Sequence, residues 1–147
     1  MIIVIADTSG LLAALDRAHP EHQGASEALQ KAGLLIMSPL LLAETDHVAT
    51  RELGREAAMS AIDDVQRWMR QGRIVLPEIT EAHISTAQSI RIRYRDLDLD
   101  LADAVNVALA HDYDTDAVLT LDRRDFRALR PLGRQKCFRL LPDDLPL

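Results

Sequence analysis

Cysteine, long apolar runs and glycine-rich loops are scarce or absent in this chain, and each shortage excludes something. The single cysteine, Cys137, rules out an internal disulfide and suits a reducing compartment. It reads as a small buried hydrophobe, because reactive use requires a neighbouring base. No apolar run approaches the roughly 18–20 residues that span a bilayer, and the opening residues lack the basic region and length of a signal peptide. The cytoplasm is the expected location. No glycine-rich phosphate loop occurs, and Ser9 and Ser38 have no recognisable base partner, so P-loop and serine-hydrolase chemistry drop out. His19, His22, His47, His83 and His111 show neither HxxxH nor Cys/His ligand spacing, which removes zinc and a histidine-pair ribonuclease. They are expected to be surface or hydrogen-bonded residues.

What is present is apolar enough to fold. At 147 residues, with 48% hydrophobic and 27% charged content, the chain reads as one globular domain spanning 1–147. Its net charge of −6 is unevenly spread. Residues 96–116 hold seven aspartates and no lysine or arginine, whereas residues 123–139 hold Arg123, Arg124, Arg127, Arg130, Arg134, Lys136 and Arg139 against Asp125 alone, or 7 − 1 = +6. An acidic pocket beside a basic strip is the charge pattern of a metal nuclease, which needs an anionic metal site and a cationic phosphate track. A solvated charged surface is the competing reading of the strip. Arginine supplies fifteen of the seventeen cations, which suits bidentate phosphate contacts.

Strand and helix signals alternate along the chain. Residues 2–6 form a short β-rich apolar run, expected as a central parallel strand buried on both faces. Residues 8–16 and 21–32 read as helices joined at Ala18-His19-Pro20, with Gly33 as the stop, and residues 34–37 as the second strand. Ser38 followed by Pro39 is an N-cap with proline at the first helical position, starting a helix to about Arg51 with Glu44 in its second turn. After Gly54, residues 55–70 carry Ala58, Ile62, Val65 and Met69 at helical spacing. Residues 73–76 are a third strand, Thr80 caps a helix to about Ile92, and a polar connection leads to a helix over 101–110. Residues 117–121 are a fourth strand, 138–141 a fifth, and 142–147 a tail. This order indicates a mostly parallel sheet covered by helices, with ligands at the carboxyl ends of the strands.

Four acidic residues fall at those ends. Asp7 follows the first strand, Glu44 interrupts the apolar face of the third helix, Asp103 lies in the first turn of the 101–110 helix, and Asp122 follows the fourth strand. Converging carboxylates repel one another and cannot all ionise without a counter-charge, so a hard divalent cation is the simplest explanation. Three of them also have a structural reading: an Asp-Thr-Ser capping turn for Asp7, a favourable N-terminal charge for Asp103, and competition with Asp125 to start a helix for Asp122. The alternation Asp96, Asp98, Asp100 with leucines lacks the glycine and terminal glutamate of a calcium loop and reads as a solvated connection. Arg91, Arg93 and Arg95 either pair with those aspartates or line an RNA path.

The fragments Asp7-Thr8-Ser9, Glu44, Asp103-Ala104 and Thr120-Leu121-Asp122 with Phe126 together resemble the PIN-domain nucleases, most closely the VapC-like toxins of toxin–antitoxin pairs. The resemblance implies a three-layer α/β/α sandwich around a mostly parallel sheet. It also implies a homodimer and an endoribonuclease that cleaves structured cellular RNA, tRNA or rRNA, restrained by a cognate VapB-like antitoxin. Catalysis and Mg²⁺ or Mn²⁺ binding then fall to Asp7, Glu44, Asp103 and Asp122, with Asp125 as a supplementary acid and Arg123 and Arg124 as RNA contacts.

Three other functions compete. A haloacid-dehalogenase-type phosphohydrolase needs a second aspartate two positions after the first, where this chain has Ser9. A non-catalytic RNA-binding PIN module has no need of four mutually repelling carboxylates. An RNA-processing PIN nuclease without an antitoxin differs only in its partner.

Overall fold

The run at residues 2–6 forms strand β1 (Ile3–Ala6), and its pleat sends successive side chains to opposite faces. Val4 and Ala6 enter one apolar cluster and Ile5 the other, so β1 is covered on both sides. The computed structural model describes residues 1–145. Helices α1 (Thr8–Leu15) and α2 (His22–Lys31) precede β2 (Leu34–Ile36), and α3 (Pro39–Leu53) and α4 (Arg55–Arg70) precede β3 (Ile74–Val75). Then come α5 (Glu81–Arg93), a 3₁₀ turn at Arg95–Leu97, α6 (Leu101–Asp112), β4 (Ala117–Leu119), α7 (Arg123–Ala128) and β5 (Arg139–Leu141).

The strand order is β3-β2-β1-β4-β5, with β1 central as its composition predicts. All four pairings are parallel, so the sheet is wholly rather than mostly parallel among the described residues. One face is packed by side chains of α1, α2 and α4, including Leu11, Ala28 and Val65. The other is packed by α5, α6 and α7, including Ile90, Val105 and Phe126. The result is the three-layer sandwich that the resemblance implies. Phe126 meets Phe138 edge-on, with ring centroids 6.0 Å apart, which locks α7 against the start of β5.

The local signals act as their chemistry requires. Ser38 accepts a hydrogen bond from the Leu40 N–H with Pro39 at the first helical position, and Gly54, at φ 95°, separates α3 from α4. Four expectations need correction. Gly33 lies beyond α2 without a left-handed conformation; a Cβ there would meet only the exposed Met1 side chain, which can move. The polar connection after α5 contains the 3₁₀ turn. Cys137 is exposed, lying in a bend before β5 rather than in the core. Residues 142–145 are no loose tail: the Asp144 carboxylate accepts from the Leu140 N–H at 2.7 Å, and Leu145 packs against the core. The last two residues of that expected tail lie outside the described residues.

Candidate active site

Parallel pairing brings the carboxyl ends of β1 and β4 side by side. Asp7 donates its N–H to the Leu119 carbonyl at 3.0 Å. Asp7 occupies the N-cap position of α1, yet its side chain makes no capping bond to that helix. The capping explanation for this carboxylate therefore fails. Asp7 Oδ2 instead accepts the Thr120 hydroxyl at 2.6 Å and lies 3.4 Å from the Ser9 hydroxyl, which also donates to it. Asp7 is 6% exposed, and burial pushes its carboxyl above the ordinary range against the opposing pull of the Thr120 and Thr8 hydrogen bonds. Gly10 permits this geometry, since a Cβ there would lie 2.4 Å from the Leu119 carbonyl oxygen.

Thr120 itself is 1% exposed and bridges two of the acids. Its oxygen accepts the Asp122 N–H at 2.9 Å while its hydroxyl proton goes to Asp7. The adjacent Leu121 N–H donates to Ser9 Oγ at 2.9 Å. One hydrogen-bonded patch thus ties the start of α1 to the chain leaving β4.

Asp103 enters from α6, whose cap is a different residue. Asp100 Oδ1 accepts the Asp103 N–H at 2.8 Å, so the Asp103 carboxylate is not needed for capping. Its pKa is pushed up to about 9, first by burial and then by the charges of Asp7, Asp100, Asp122 and Glu44. Asp122 caps α7 by accepting the Asp125 N–H at 3.2 Å, and it keeps an oxygen near Asp103. Carboxylate oxygens of Asp103, Asp122 and Asp125 all lie within 4.8 Å of one another. Asp125 is held above its usual range by burial and the Asp122 charge, with Arg124 opposing.

Glu44 faces this group from α3. Its carboxyl is raised by partial burial and by Asp100 and Asp7, with the Thr8 hydroxyl opposing. These residues share a cavity of about 380 Å³ lined by seven carboxylates, Asp7, Asp16, Glu44, Glu52, Asp100, Asp103 and Asp122, and by His19 as the one basic side chain. Asp125 joins the carboxylate triad yet does not line this cavity, so it stands behind Asp122. An all-oxygen donor set that retains protons for want of positive charge fits a hard divalent cation.

The basic strip divides into two populations. Arg123 donates to Glu21 and to Asp143, Arg127 forms a two-bond contact with Asp144 at 2.7 and 2.8 Å, and Arg139 donates to Asp116 at 2.7 Å. Arg123 is thereby engaged within the molecule. Among the described residues, Arg124, Arg130 and Lys136 have no side-chain ion pair. Arg91 donates to the Leu99 carbonyl and to Gln88 rather than to the nearby aspartates. The histidines are satisfied where expected: His83 accepts the Thr80 N–H at 3.0 Å on Nδ1 and bonds Asp112 through Nε2 at 2.6 Å.

Sequence reasoning missed two residues here. Asp100 was grouped with a solvated connection, although a helix cap one residue before Leu101 was the available signal. Asn106, 1% exposed, donates to the Ala6 carbonyl at 3.1 Å and ties α6 to the residue before Asp7, while its Oδ1 has no partner.

Comparison with known proteins gives a consistent result. The family model described as PIN domain matches residues 4–130. Ribonuclease VapC26 of Mycobacterium tuberculosis is 40% identical over 131 residues, covering 88% of this chain and 94% of its own length. The crystal structure of M. tuberculosis VapC20, a sarcin-ricin loop cleaving toxin, superposes with a TM-score of 0.70 at 19% identity over 82% of this chain and 91% of its own. VapBC2 from Rickettsia felis, solved with a DNA fragment from its promoter, gives a TM-score of 0.64 at 15% identity over 95% of this chain and 99% of its own. The two structural likenesses bear on the fold.

Proposed function

The chain belongs to the PIN-domain family, and from that premise we propose that it is a divalent-metal-dependent endoribonuclease, the toxin of a toxin–antitoxin pair, acting through Asp7, Glu44, Asp103 and Asp122. The observation that carries the reading is the convergence of these acids in one cavity with the Asp103 carboxyl held at about 9. A surface patch of aspartates would remain ionised and apart; this one keeps a proton because no lysine or arginine enters it.

Mg²⁺ or Mn²⁺ suits the oxygen donors, and Asp7 and Asp103, with Glu44 and Asp122 beside them, are the residues that would hold it. When bound, the ion supplies Lewis-acid polarisation and charge neutralisation at a phosphodiester. The remaining work falls to the chain. Thr120 fixes the Asp7 carboxylate by donating to Oδ2. Asp100 and Asn106 fix the start of α6, and with it Asp103, against the end of β1. Asp122, capping α7, is oriented by its own helix. Such a preorganised set favours charge redistribution at a scissile phosphate without reorganising the protein. Arg124, exposed beside Asp125 and without an ion pair among the described residues, is the cation proposed to meet an incoming phosphate.

RNA is the proposed substrate because the 40% identical relative is named a ribonuclease; tRNA or rRNA is the proposed class. A VapB-like antitoxin is the proposed partner, supported by the likeness to VapBC2, and the active assembly is proposed as a homodimer of a one-domain chain. The deciding experiment is incubation of total cellular RNA with antitoxin-free protein plus Mg²⁺ or Mn²⁺, beside EDTA and Asp103→Asn controls. Discrete fragments that require both the metal and Asp103 are expected. Absence of cleavage by folded, metal-saturated protein would overturn the reading.

A further inference from the structure

A groove of about 700 Å³ lies between the C-terminal end of α5 and the segment that follows α7. Its lining includes Arg93, Arg130, Lys136 and Tyr94, and no acidic residue contributes. All three cations are exposed and lack an ion pair among the described residues, although Arg123, Arg127 and Arg139 of the same strip are each matched to an acid. In a chain of net charge −6, three unpaired cations gathered in one concavity repel one another, and a polyanion offsets that repulsion.

Tyr94 adds a second chemistry. It is one of only five aromatic residues, its body packs on the α5–α6 core, and its hydroxyl accepts the Arg130 N–H at 3.3 Å. A partly buried ring held by one hydrogen bond beside unpaired cations is the combination that grips single-stranded nucleic acid: cations follow the phosphates, and the ring face stacks a base. The carboxylate cavity has the opposite lining, so the two concavities cannot take the same part of a ligand.

We propose that the Arg93–Arg130–Lys136 groove, with Tyr94 as its stacking surface, is a second RNA-binding site that holds single-stranded RNA flanking the cleaved bond. This assignment takes its ligand from the nuclease reading above and adds a site outside the carboxylate cavity. The groove sets which RNAs are held, while the carboxylates act on the bond.

The test is a salt titration of binding to a labelled single-stranded RNA of mixed sequence, made in the Asp103→Asn background so that no cleavage intervenes. Arg93→Gln, Arg130→Gln and Lys136→Gln combined should make the plot of log affinity against log salt shallower by about 0.7 per lost contact, or about 2 altogether. An about fourfold rise in salt then weakens the parent roughly twentyfold more than the variant. Tyr94→Leu should weaken binding without changing the slope, because stacking releases no counterions. Thermal melting of each protein separates these losses from unfolding. An unchanged slope in the folded triple variant overturns the proposal. So does loss of binding to poly-glutamate with RNA binding intact, which would assign the groove to an acidic protein segment. Failure of the wild-type protein to cleave RNA, with the slope change present, overturns the nuclease reading and leaves the groove standing.

Discussion

Thr120 donates its hydroxyl proton to Asp7 Oδ2 at 2.6 Å, joining residues 113 positions apart in the chain. Both are buried, so neither can exchange this bond for one to water. Thr120→Val keeps the shape and removes the donor. It is expected to cost about 1–3 kcal/mol of stability, since Asp7 keeps only the longer Ser9 bond and the Asp122 N–H loses its acceptor, and to weaken metal binding by letting the Asp7 carboxylate turn. Thr120→Ser should recover most of both. Urea unfolding and calorimetric metal titration of the two variants check this, and equal metal affinity in Thr120→Val would show that the bond does not orient Asp7.

Metal-free stability should depend on pH through Asp103. The folded carboxyl is held at about 9 against an ordinary 3.8, so between those values the folded state keeps a proton that the unfolded chain has released. The Asp103 contribution to the stability of the metal-free protein is therefore greatest below the ordinary value and falls as pH rises through this window, by at most about 1.4 kcal/mol per pH unit for one proton. Asp103→Asn removes the titrating group, flattens the dependence and raises stability at the alkaline end, while abolishing cleavage. Chemical denaturation at both ends of the window measures it. A parent protein that gains stability toward alkaline pH would contradict the crowding of carboxylates.

Adding a divalent cation should reverse that loss. Ligand that binds only the folded state at one hundred times its dissociation constant adds about 2.7 kcal/mol. The expected result is a rise in melting temperature with Mg²⁺ or Mn²⁺, removed by EDTA and largely absent in Asp103→Asn. Calorimetry in buffers of different ionisation heat should register proton release on binding.

Arg123 and Arg124 are sequence neighbours with different employment. Arg123 is held by Glu21 and Asp143, and it keeps the Asp143 carboxyl below its ordinary range. A depressed carboxyl contributes stability above its unfolded value that is lost as pH falls through the folded one. Arg123→Gln should cost below about 1 kcal/mol, as exposed pairs do, and should leave the salt dependence of RNA binding intact. Arg124→Ala should make that slope shallower by about 0.7 with stability unchanged. Identical slopes in the two variants would remove Arg124 from the phosphate path.

Gly10→Ala tests the approach of α1 to β4. The added Cβ meets the Leu119 carbonyl oxygen at 2.4 Å, and backbone on both sides leaves no flexible end to move. A loss of about 1–3 kcal/mol is expected from overpacking, with activity reduced further because Ser9 and Asp7 ride on the same turn. Unfolding curves and cleavage rates of the purified variant decide it.

Much of this arrangement is legible in the chain because its signals are local. The apolar run before Asp7, the Ser38-Pro39 pair before the Glu44 helix and the break at Gly54 all act through neighbours a few residues away. The four acids were findable because each stands beside such a signal. What escaped depends on distant contacts. The pairing of Arg123, an expected RNA contact, with Glu21, 102 residues away, has no signal in the sequence. Asp100 is the exception: it reads as one of three alternating aspartates, although its bond to the Asp103 N–H, three residues on, is local. Cys137 is exposed because it falls in a bend before β5, and hydrophobicity alone does not mark that bend.

The placement of β1 between β2 and β4 has a consequence for synthesis of the chain. A ribosome that has released residues up to Asp116 has delivered Asp7, Glu44 and Asp103, yet β1 has only one neighbour and Asp7 lacks the hydroxyl that holds it. Long-range parallel pairing forms late, after the loop it closes is complete. Incomplete chains therefore carry most of the acidic residues without the geometry that joins them, and the hazard of making a nuclease inside the cell is deferred until translation has passed β4.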